Sequence, residues 1–358
     1  MPHVLFVVHG MGVHLEEDWM DGVKKELKKA APSFDIFQEY PLEQWVKLEP
    51  VTYDGVFRRV LKDWNQSVDS LSAYAYENQL DVTDLVSWLD DVDETEKNFF
   101  WSHVVDVILY RFFKQVRAEV DARVMSQLAD GIAQARAAGS GYSVLAHSLG
   151  TAVAHNALHL LATQTYGNST ALNPPATRID NLFTLANVSR VLELESIPVQ
   201  DSTVKPGPTD SSTTYLNNYY NFRHRFDPIP AFRPFRADWG DGYHYQRVQH
   251  FRDWNIHGFT HYLEHPAVHG GILKAIVGDH IGSDELQEKM SAYTDIKLPS
   301  ECQDLVDEFK AEMEGLADLA GSASPSSLTD VASAMTRTFA ATQKALDKCK
   351  EKLEGDNG

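Results

Sequence analysis

The chain has 358 residues, with 32 Lys and Arg against 51 Asp and Glu, and its formal net charge is −19 when the histidines are neutral. A surface this acidic repels phosphate, which argues against a nucleic-acid partner and leaves membrane contact at most peripheral. Hydrophobic residues make up 43% of the chain and charged residues 23%, which is typical of a folded globular protein and excludes a disordered or collagen-like chain.

The first apolar run extends over residues 4–8. It is too short for a membrane span, and no basic segment precedes it as in a signal peptide, so we expect a cytoplasmic protein. The two cysteines, Cys302 and Cys349, can form neither a zinc site by themselves nor a secreted disulfide framework. They are interpreted as free thiols, and whether they pair is left open.

Strand and helix patterns alternate along the chain. The run at 4–8 is β-branched and aromatic, as in a strand buried on both faces, and residues 16–31 carry acids early and lysines late, as in a helix. Such alternation predicts an α/β fold with a mostly parallel central sheet. Further strands are predicted at 35–39, 46–52, 142–146, 181–186, 219–225 and 245–251.

Residues 53–138 show helical spacing of apolar side chains, which predicts a helical cap or insertion that serves as a candidate lid domain. Its aromatic side chains could line an acyl pocket, although ordinary core packing explains each one singly. These are Trp64, Tyr74, Tyr76, Trp88, Phe99, Phe100 and Trp101.

The C-terminal part of the chain has two apolar helical faces, separated by the segment GSASPSS. This predicts a helical hairpin over 296–358, appended to a catalytic domain over 1–295. Such a hairpin more often packs or binds a partner than carries chemistry.

The segment 141–154 carries the strongest chemical signal. An apolar strand leads into Ser148, Ala146 and Gly150 are the small residues two positions on either side, and a helix rich in small apolar residues follows. This is the pattern of a nucleophile elbow, a strained turn that leaves no room for larger neighbours. A helix N-cap is the alternative explanation for the serine.

A nucleophilic serine in acyl transfer needs backbone N–H donors for an oxyanion. One candidate is the amide of Leu149, directly after the serine. The other is the amide of Met11, because His9 and Gly10 end the first strand and begin a glycine-rich loop. A tight turn without a catalytic role is the alternative for that loop.

The segments VLFVVHGMG and SVLAHSLGT resemble those of α/β-hydrolases of the lipase and esterase group. His9 and Gly10 belong to the first motif, and His147 and Gly150 to the second. The resemblance covers about residues 3–280 and is weakest across the insertion. Ala146 departs from the family pattern, which has glycine there. The resemblance implies an α/β-hydrolase fold with a triad in the chain order Ser, Asp or Glu, His.

The resemblance assigns the acid of the triad to Asp227. A strand precedes it, and the Asp-Pro-x-Pro sequence that follows resembles the acid loop of many lipases. A turn aspartate before proline is the alternative explanation. Asp238, Asp241 and Asp253 are the other candidates.

The triad histidine is expected in the loop before the final helix, where His257 is favoured and His261 is the second candidate. The family's H-x-x-Y-W-x-x-P-x-V segment matches imperfectly, because Phe259 aligns with its histidine. Pro266 would break a helix through the histidines that are spaced by four, so no metal site is predicted there. The other histidines of this region are His244, His250, His265 and His269.

Together these residues predict a serine hydrolase that cleaves carboxylic esters, a carboxylesterase or lipase, through a Ser-His-Asp triad and an acyl-enzyme. No cofactor is implied, and the partner is a small-molecule or lipid ester. A phospholipase or other lipid deacylase, a thioesterase, and a catalytically inactive binding protein of the same fold are the alternatives. Acyl-chain specificity and oligomeric state are left open.

Overall fold

The structure of the protein is a computed structural model. The described residues are 1–10, 16–64, 68–77, 82–83, 86–87, 104–163, 177–193, 199–209, 211, 213–231, 233–250, 255–293, 333 and 336.

A six-stranded sheet forms the centre of the described structure, and all its neighbouring strands are parallel. The strand order is β2-β1-β3-β4-β5-β6. The strands are β1 (His3–Val8), β2 (Val46–Val51), β3 (Tyr142–His147), β4 (Ile179–Leu185), β5 (Leu216–His224) and β6 (Tyr243–Val248). The prediction of an α/β fold with a largely parallel sheet is therefore confirmed.

Helices connect the strands and follow the last of them. Those before β3 are α1 (Glu16–Ala30), α2 (Asp35–Glu39), α3 (Leu42–Trp45), α4 (Asp54–Trp64), α5 (Val68–Glu77), α6 (Val105–Phe112) and α7 (Lys114–Ala137). Those after β3 are α8 (Leu149–Thr163), α9 (Pro228–Ala231), α10 (Phe259–Glu264), α11 (Pro266–Val277) and α12 (Ser283–Ala292).

The strand order reverses direction at β1. From β1 the chain moves to β2 on one side, and β3 pairs with β1 on the other side, with Val8 opposite both Val51 and Ala146. Because all strands are parallel, the segments after β1 and β3 leave the sheet at the same edge. In open α/β sheets, the crevice at such a switch point is where ligands bind.

Each face of the sheet carries its own hydrophobic core. Phe6 and Val144 belong to a core that includes residues of α4 to α8, whereas Leu5 and Leu145 belong to a core with residues of α1 and α11. Successive strand residues point to opposite faces, so a strand buried on both sides is apolar throughout. This explains why β1 was recognisable as a continuous apolar run.

Helix α7 lies within the range predicted as an insertion and packs onto the sheet. Its buried residues Val120, Val124 and Leu128 share one core cluster with Phe6 of β1, and the ring of Phe6 lies where a side chain at Gly131 would be. In this range Tyr76 is 86% exposed. The side chains of Trp64 and Tyr74 and all of Trp88, Phe99, Phe100 and Trp101 lie outside the described residues.

The predicted strand at 35–39 is wrong, because these residues form helix α2. Phe37 of this helix and Phe34, its N-cap residue, are both buried in the core that contains residues of α1. So short an apolar run is ambiguous between the two periodicities.

The hairpin predicted over 296–358 lies outside the described residues, apart from two isolated positions, and so do Cys302 and Cys349. Among the described helices, none combines the length and apolarity that a membrane span requires.

Candidate active site

Ser148 occupies a sharp turn between β3 and α8. Its φ of 52° lies in the left-handed region, which is strained for a residue other than glycine. The backbone N–H of Ser148 donates to the carbonyl of Leu185 at the end of β4 (3.0 Å), and the Thr151 hydroxyl donates to the Ser148 carbonyl (2.7 Å). The neighbouring strand and the first helical turn therefore hold the strained residue in place.

Close packing around the turn explains the small residues beside the serine. A Cβ at Gly150 would overlap the carbonyl oxygen of His9 and lie 2.7 Å from that of Val8. A Cβ at Gly10 would lie 2.9 Å from the Cβ of Ser148. The end of β1 thus lies directly against the turn, and Ala146, two residues before the serine, is fully buried there.

His257 links the serine to the predicted acid. Its Nε2 lies 2.8 Å from Oγ of Ser148, and its Nδ1 lies 2.9 Å from both carboxylate oxygens of Asp227. The side chain of His257 is 18% exposed, whereas that of Asp227 is fully buried. The structure therefore brings the three predicted residues together, with the histidine between the buried carboxylate and the serine.

Asp227 is held by hydrogen bonds besides those to His257. The Tyr262 hydroxyl donates to Oδ2 (2.7 Å), and the backbone N–H of Ile229 donates to Oδ1 (3.1 Å). Burial alone would raise the pKa of Asp227, but the charge and hydrogen bond of His257 and the Tyr262 hydroxyl outweigh it, so the pKa is lowered. The carboxylate is thus ionised and can orient the imidazole.

His147, directly before the serine, contacts the loop that carries His257. Its Nε2–H donates to the carbonyl of His257 (2.7 Å), and its ring stacks on that of Phe259 with centroids 4.9 Å apart. His147 therefore connects the turn that carries Ser148 with the loop that carries His257.

The second histidine candidate, His261, lies elsewhere. It is buried in α10, its Nε2–H donates to the carbonyl of His250 (3.2 Å), and its ring stacks on the His250 ring. Of the alternative acids, Asp238 and Asp241 are exposed, and Asp253 lies outside the described residues. Within the described part of the chain, the structure places none of His261, Asp238 and Asp241 in contact with Ser148.

The structure describes one of the two predicted oxyanion donors, the backbone N–H of Leu149. Leu149 is the first residue of α8, so its N–H has no acceptor within the helix and remains available beside the serine. Met11 lies outside the described residues, and its amide stays a prediction.

The end of β1 is fixed by side chains that the sequence analysis did not identify. The Tyr53 hydroxyl donates to the carbonyl of His9 (2.8 Å), and the Tyr53 ring stacks on the His9 ring. His9 Nε2 lies 3.1 Å from a carboxylate oxygen of Asp54. Tyr53 and Asp54 follow β2, and nothing in their local sequence indicates this role. Tyr262 was also missed, although it lies within the segment compared with the family's histidine loop.

Ala186 is a second strained residue near the serine, with a φ of 51° directly after β4. Two residues later, the backbone N–H of Val188 donates to the hydroxyl of Thr151 in the first turn of α8 (3.0 Å). The segment after β4 therefore borders the same crevice, which no sequence motif indicated.

Three further histidines lie behind Asp227, at His224, His250 and His261, and all are buried. The backbone N–H of His224 donates to the Tyr262 hydroxyl (2.9 Å), which in turn donates to Asp227. Burial lowers the pKa of His224 to about 4 and that of His250 further, so both rings are neutral at neutral pH.

No model of a known protein family matches this chain, and the comparison with curated proteins gives no match.

Proposed function

We propose that the chain is a serine hydrolase of the α/β-hydrolase fold that cleaves carboxylic esters. The observation that carries this proposal is the continuous hydrogen-bonded series from Ser148 through His257 to Asp227, with a strained serine at a strand-to-helix turn. A serine hydroxyl, a histidine and a buried carboxylate in this order activate the hydroxyl as a nucleophile.

In the first half of the reaction, Oγ of Ser148 attacks the ester carbonyl while Nε2 of His257 takes the hydroxyl proton. Asp227 keeps the proton of the imidazole on Nδ1 and stabilises the imidazolium. The N–H of Leu149 donates to the oxyanion, and the N–H of Met11 is the predicted second donor. The tetrahedral intermediate collapses, and the leaving alcohol takes the proton from His257.

In the second half, water attacks the acyl-enzyme. His257 takes a proton from the water, and the second tetrahedral intermediate releases the carboxylic acid as Ser148 recovers its proton. The partial exposure of His257 supports this step, because the base must be reachable by water after the alcohol leaves.

The test is hydrolysis of p-nitrophenyl esters from acetate to palmitate by the full chain. We expect turnover that falls by at least about a thousandfold in Ser148→Ala, since removing the nucleophile of a triad removes most of its rate enhancement. Ser291→Ala, at an exposed serine of α12, is the matched control and should retain wild-type turnover. The optimal acyl-chain length distinguishes a carboxylesterase from a lipase.

Labelling by a fluorophosphonate tests whether Ser148 is activated, and the result does not depend on which ester is chosen as the substrate. The label should map to the peptide with Ser148 in the folded protein and be lost after denaturation or in Ser148→Ala. A wild-type protein that neither turns over esters nor takes the label would contradict the proposal and favour a binding protein of this fold. If the protein takes the label but cleaves only thioesters, the activated serine is supported and only the carboxylic ester substrate is contradicted.

A further inference from the structure

The buried histidines behind Asp227 come from three separate segments. His224 ends β5, His250 lies two residues after β6, and His261 lies in α10. Their exposure is at most 1%, and each offers one ring nitrogen, Nδ1 or Nε2, that lies within 4.8 Å of a ring nitrogen of both others. Long-range folding therefore gathers three imidazoles at one point, although their spacing in the sequence forms no metal motif.

The backbone determines which ring nitrogen carries the proton. Nε2 of His224 lies 2.7 Å from the carbonyl oxygen of His250, Nε2 of His250 lies 2.8 Å from that of His261, and Nε2 of His261 lies 3.2 Å from that of His250. A carbonyl oxygen only accepts, so each Nε2 is the N–H donor. In a neutral ring the lone pair is then on Nδ1.

This arrangement has the two properties of a histidine metal site. The rings offer lone pairs, and each remaining N–H donates to a backbone carbonyl, which is the usual outer contact of a metal-binding histidine. In addition, Nδ1 of His250 is buried and has no hydrogen-bond partner among the described residues. A buried acceptor of this kind is normally satisfied, so the lone pair indicates a ligand.

We infer that His224, His250 and His261 bind one divalent transition-metal ion through their Nδ1 atoms, with zinc as the first candidate. Imidazole nitrogen suits zinc, and three protein ligands leave one position for water or another donor. The N–H of Phe226 donates to Nδ1 of His224 (3.2 Å), and this bond would be exchanged for the metal.

Binding also requires the rotation of one of two stacked rings. The planes of His250 and His261 are stacked, 10° from parallel with centroids 4.2 Å apart. Zinc binds nitrogen at about 2.0–2.1 Å, so one ring must rotate for both lone pairs to reach one ion. The ion would then connect the end of β5, the segment after β6 and α10, which together position Asp227 and Tyr262.

The test uses the full chain without a polyhistidine tag, treated with a chelator and then titrated with zinc by calorimetry. We expect one zinc ion per chain and a higher melting temperature with zinc. His250→Gln and His261→Gln should each lose at least about a hundredfold in zinc affinity, which exceeds the usual effect of an outer contact. His244→Gln, at an exposed histidine of β6, is the matched control and should bind zinc as the wild type does.

X-ray absorption at the zinc edge of the loaded wild-type protein identifies the ligands without any substitution. It therefore tests the inference even if the variants fail to fold. A shell with three imidazole nitrogens is expected. No zinc uptake, undiminished zinc affinity in folded His250→Gln, or a sulfur-containing shell would overturn the inference. None of these measurements depends on ester hydrolysis, so this inference and the proposed function stand or fall separately.

Discussion

At the scale of single residues, the site depends on contacts between segments that are far apart in sequence. The hydrogen bond between His147 and the carbonyl of His257 spans 110 positions, and the bond between Tyr262 and Asp227 spans 35. The hydrogen-bonded series of Ser148, His257 and Asp227 was itself predictable, because the serine and the aspartate each lie in a local pattern at a strand end. Their supporting side chains were not, since only the folded chain brings them near.

His147 provides the first prediction. His147→Phe keeps a ring to stack on Phe259 but removes the donor to the His257 carbonyl, so the loop that holds the base loses one restraint. We expect kcat/KM for a cleaved p-nitrophenyl ester to fall about tenfold, which corresponds to the typical value of one hydrogen bond.

The conservative variant separates positioning from general stability. His147→Gln retains an N–H donor, and it should recover most of the lost kcat/KM even if both variants melt at the same lower temperature. Equal rates in His147→Phe and the wild type would show that this hydrogen bond does not position His257.

At the scale of secondary-structure elements, the strands were more predictable than the short helices. Strands buried on both faces have continuous apolar runs, and every predicted strand except 35–39 overlaps an observed one. That exception forms helix α2, and Phe37 in the helix and Phe34 directly before it are buried in the core beside α1. Local propensity cannot decide so short a segment without its tertiary partners.

The contact between α8 and β1 provides the second prediction. Gly150→Ala would place a methyl group against the carbonyl oxygens of Val8 and His9, which are backbone atoms and cannot rotate away. The helix must then move off the end of β1. We expect a loss of about 1–3 kcal/mol in the free energy of unfolding and a strong loss of esterase turnover.

Gly282→Ala is the matched control for this change. Gly282 is exposed before α12, its φ is −62°, and an added Cβ would lie 3.8 Å or more from its neighbours. Both variants are compared by urea unfolding and by turnover. If Gly150→Ala unfolds at the same urea concentration as Gly282→Ala, the close approach of α8 to β1 is not required.

At the scale of the whole molecule, a buried polar cluster connects the helices on one face of the sheet. The hydroxyl of Tyr110 in α6 donates to Asp121 of α7 (2.7 Å) and accepts from Asn156 of α8 (2.6 Å). Tyr110 and Asp121 lie in the range predicted as an insertion. Their contact was not predictable, because apolar spacing carries no information about which polar side chains meet.

Asp121 makes the stability of the fold depend on pH. Burial raises its pKa from 3.8 to about 6, against the opposing effects of the Tyr110 hydrogen bond and the Arg117 charge. The folded state therefore binds this proton more tightly than the unfolded state. The stabilisation that comes from this bound proton is fully present below about pH 4 and is lost as the pH rises through about 6.

Asp121→Asn removes this titration but keeps an oxygen that can accept from Tyr110. The quantity to compare is the unfolding free energy of the variant minus that of the wild type. This difference should increase by on the order of 2 kcal/mol as the pH is raised from about 4 to about 7, since one pKa unit corresponds to about 1.4 kcal/mol. The measurement is urea unfolding of both proteins across this range. Asp130→Asn, at an exposed position of the same helix, is the charge-matched control. A difference between Asp121→Asn and the wild type that does not change with pH would show that Asp121 is not the titrating group, because subtracting the two curves cancels every other carboxylate of the molecule.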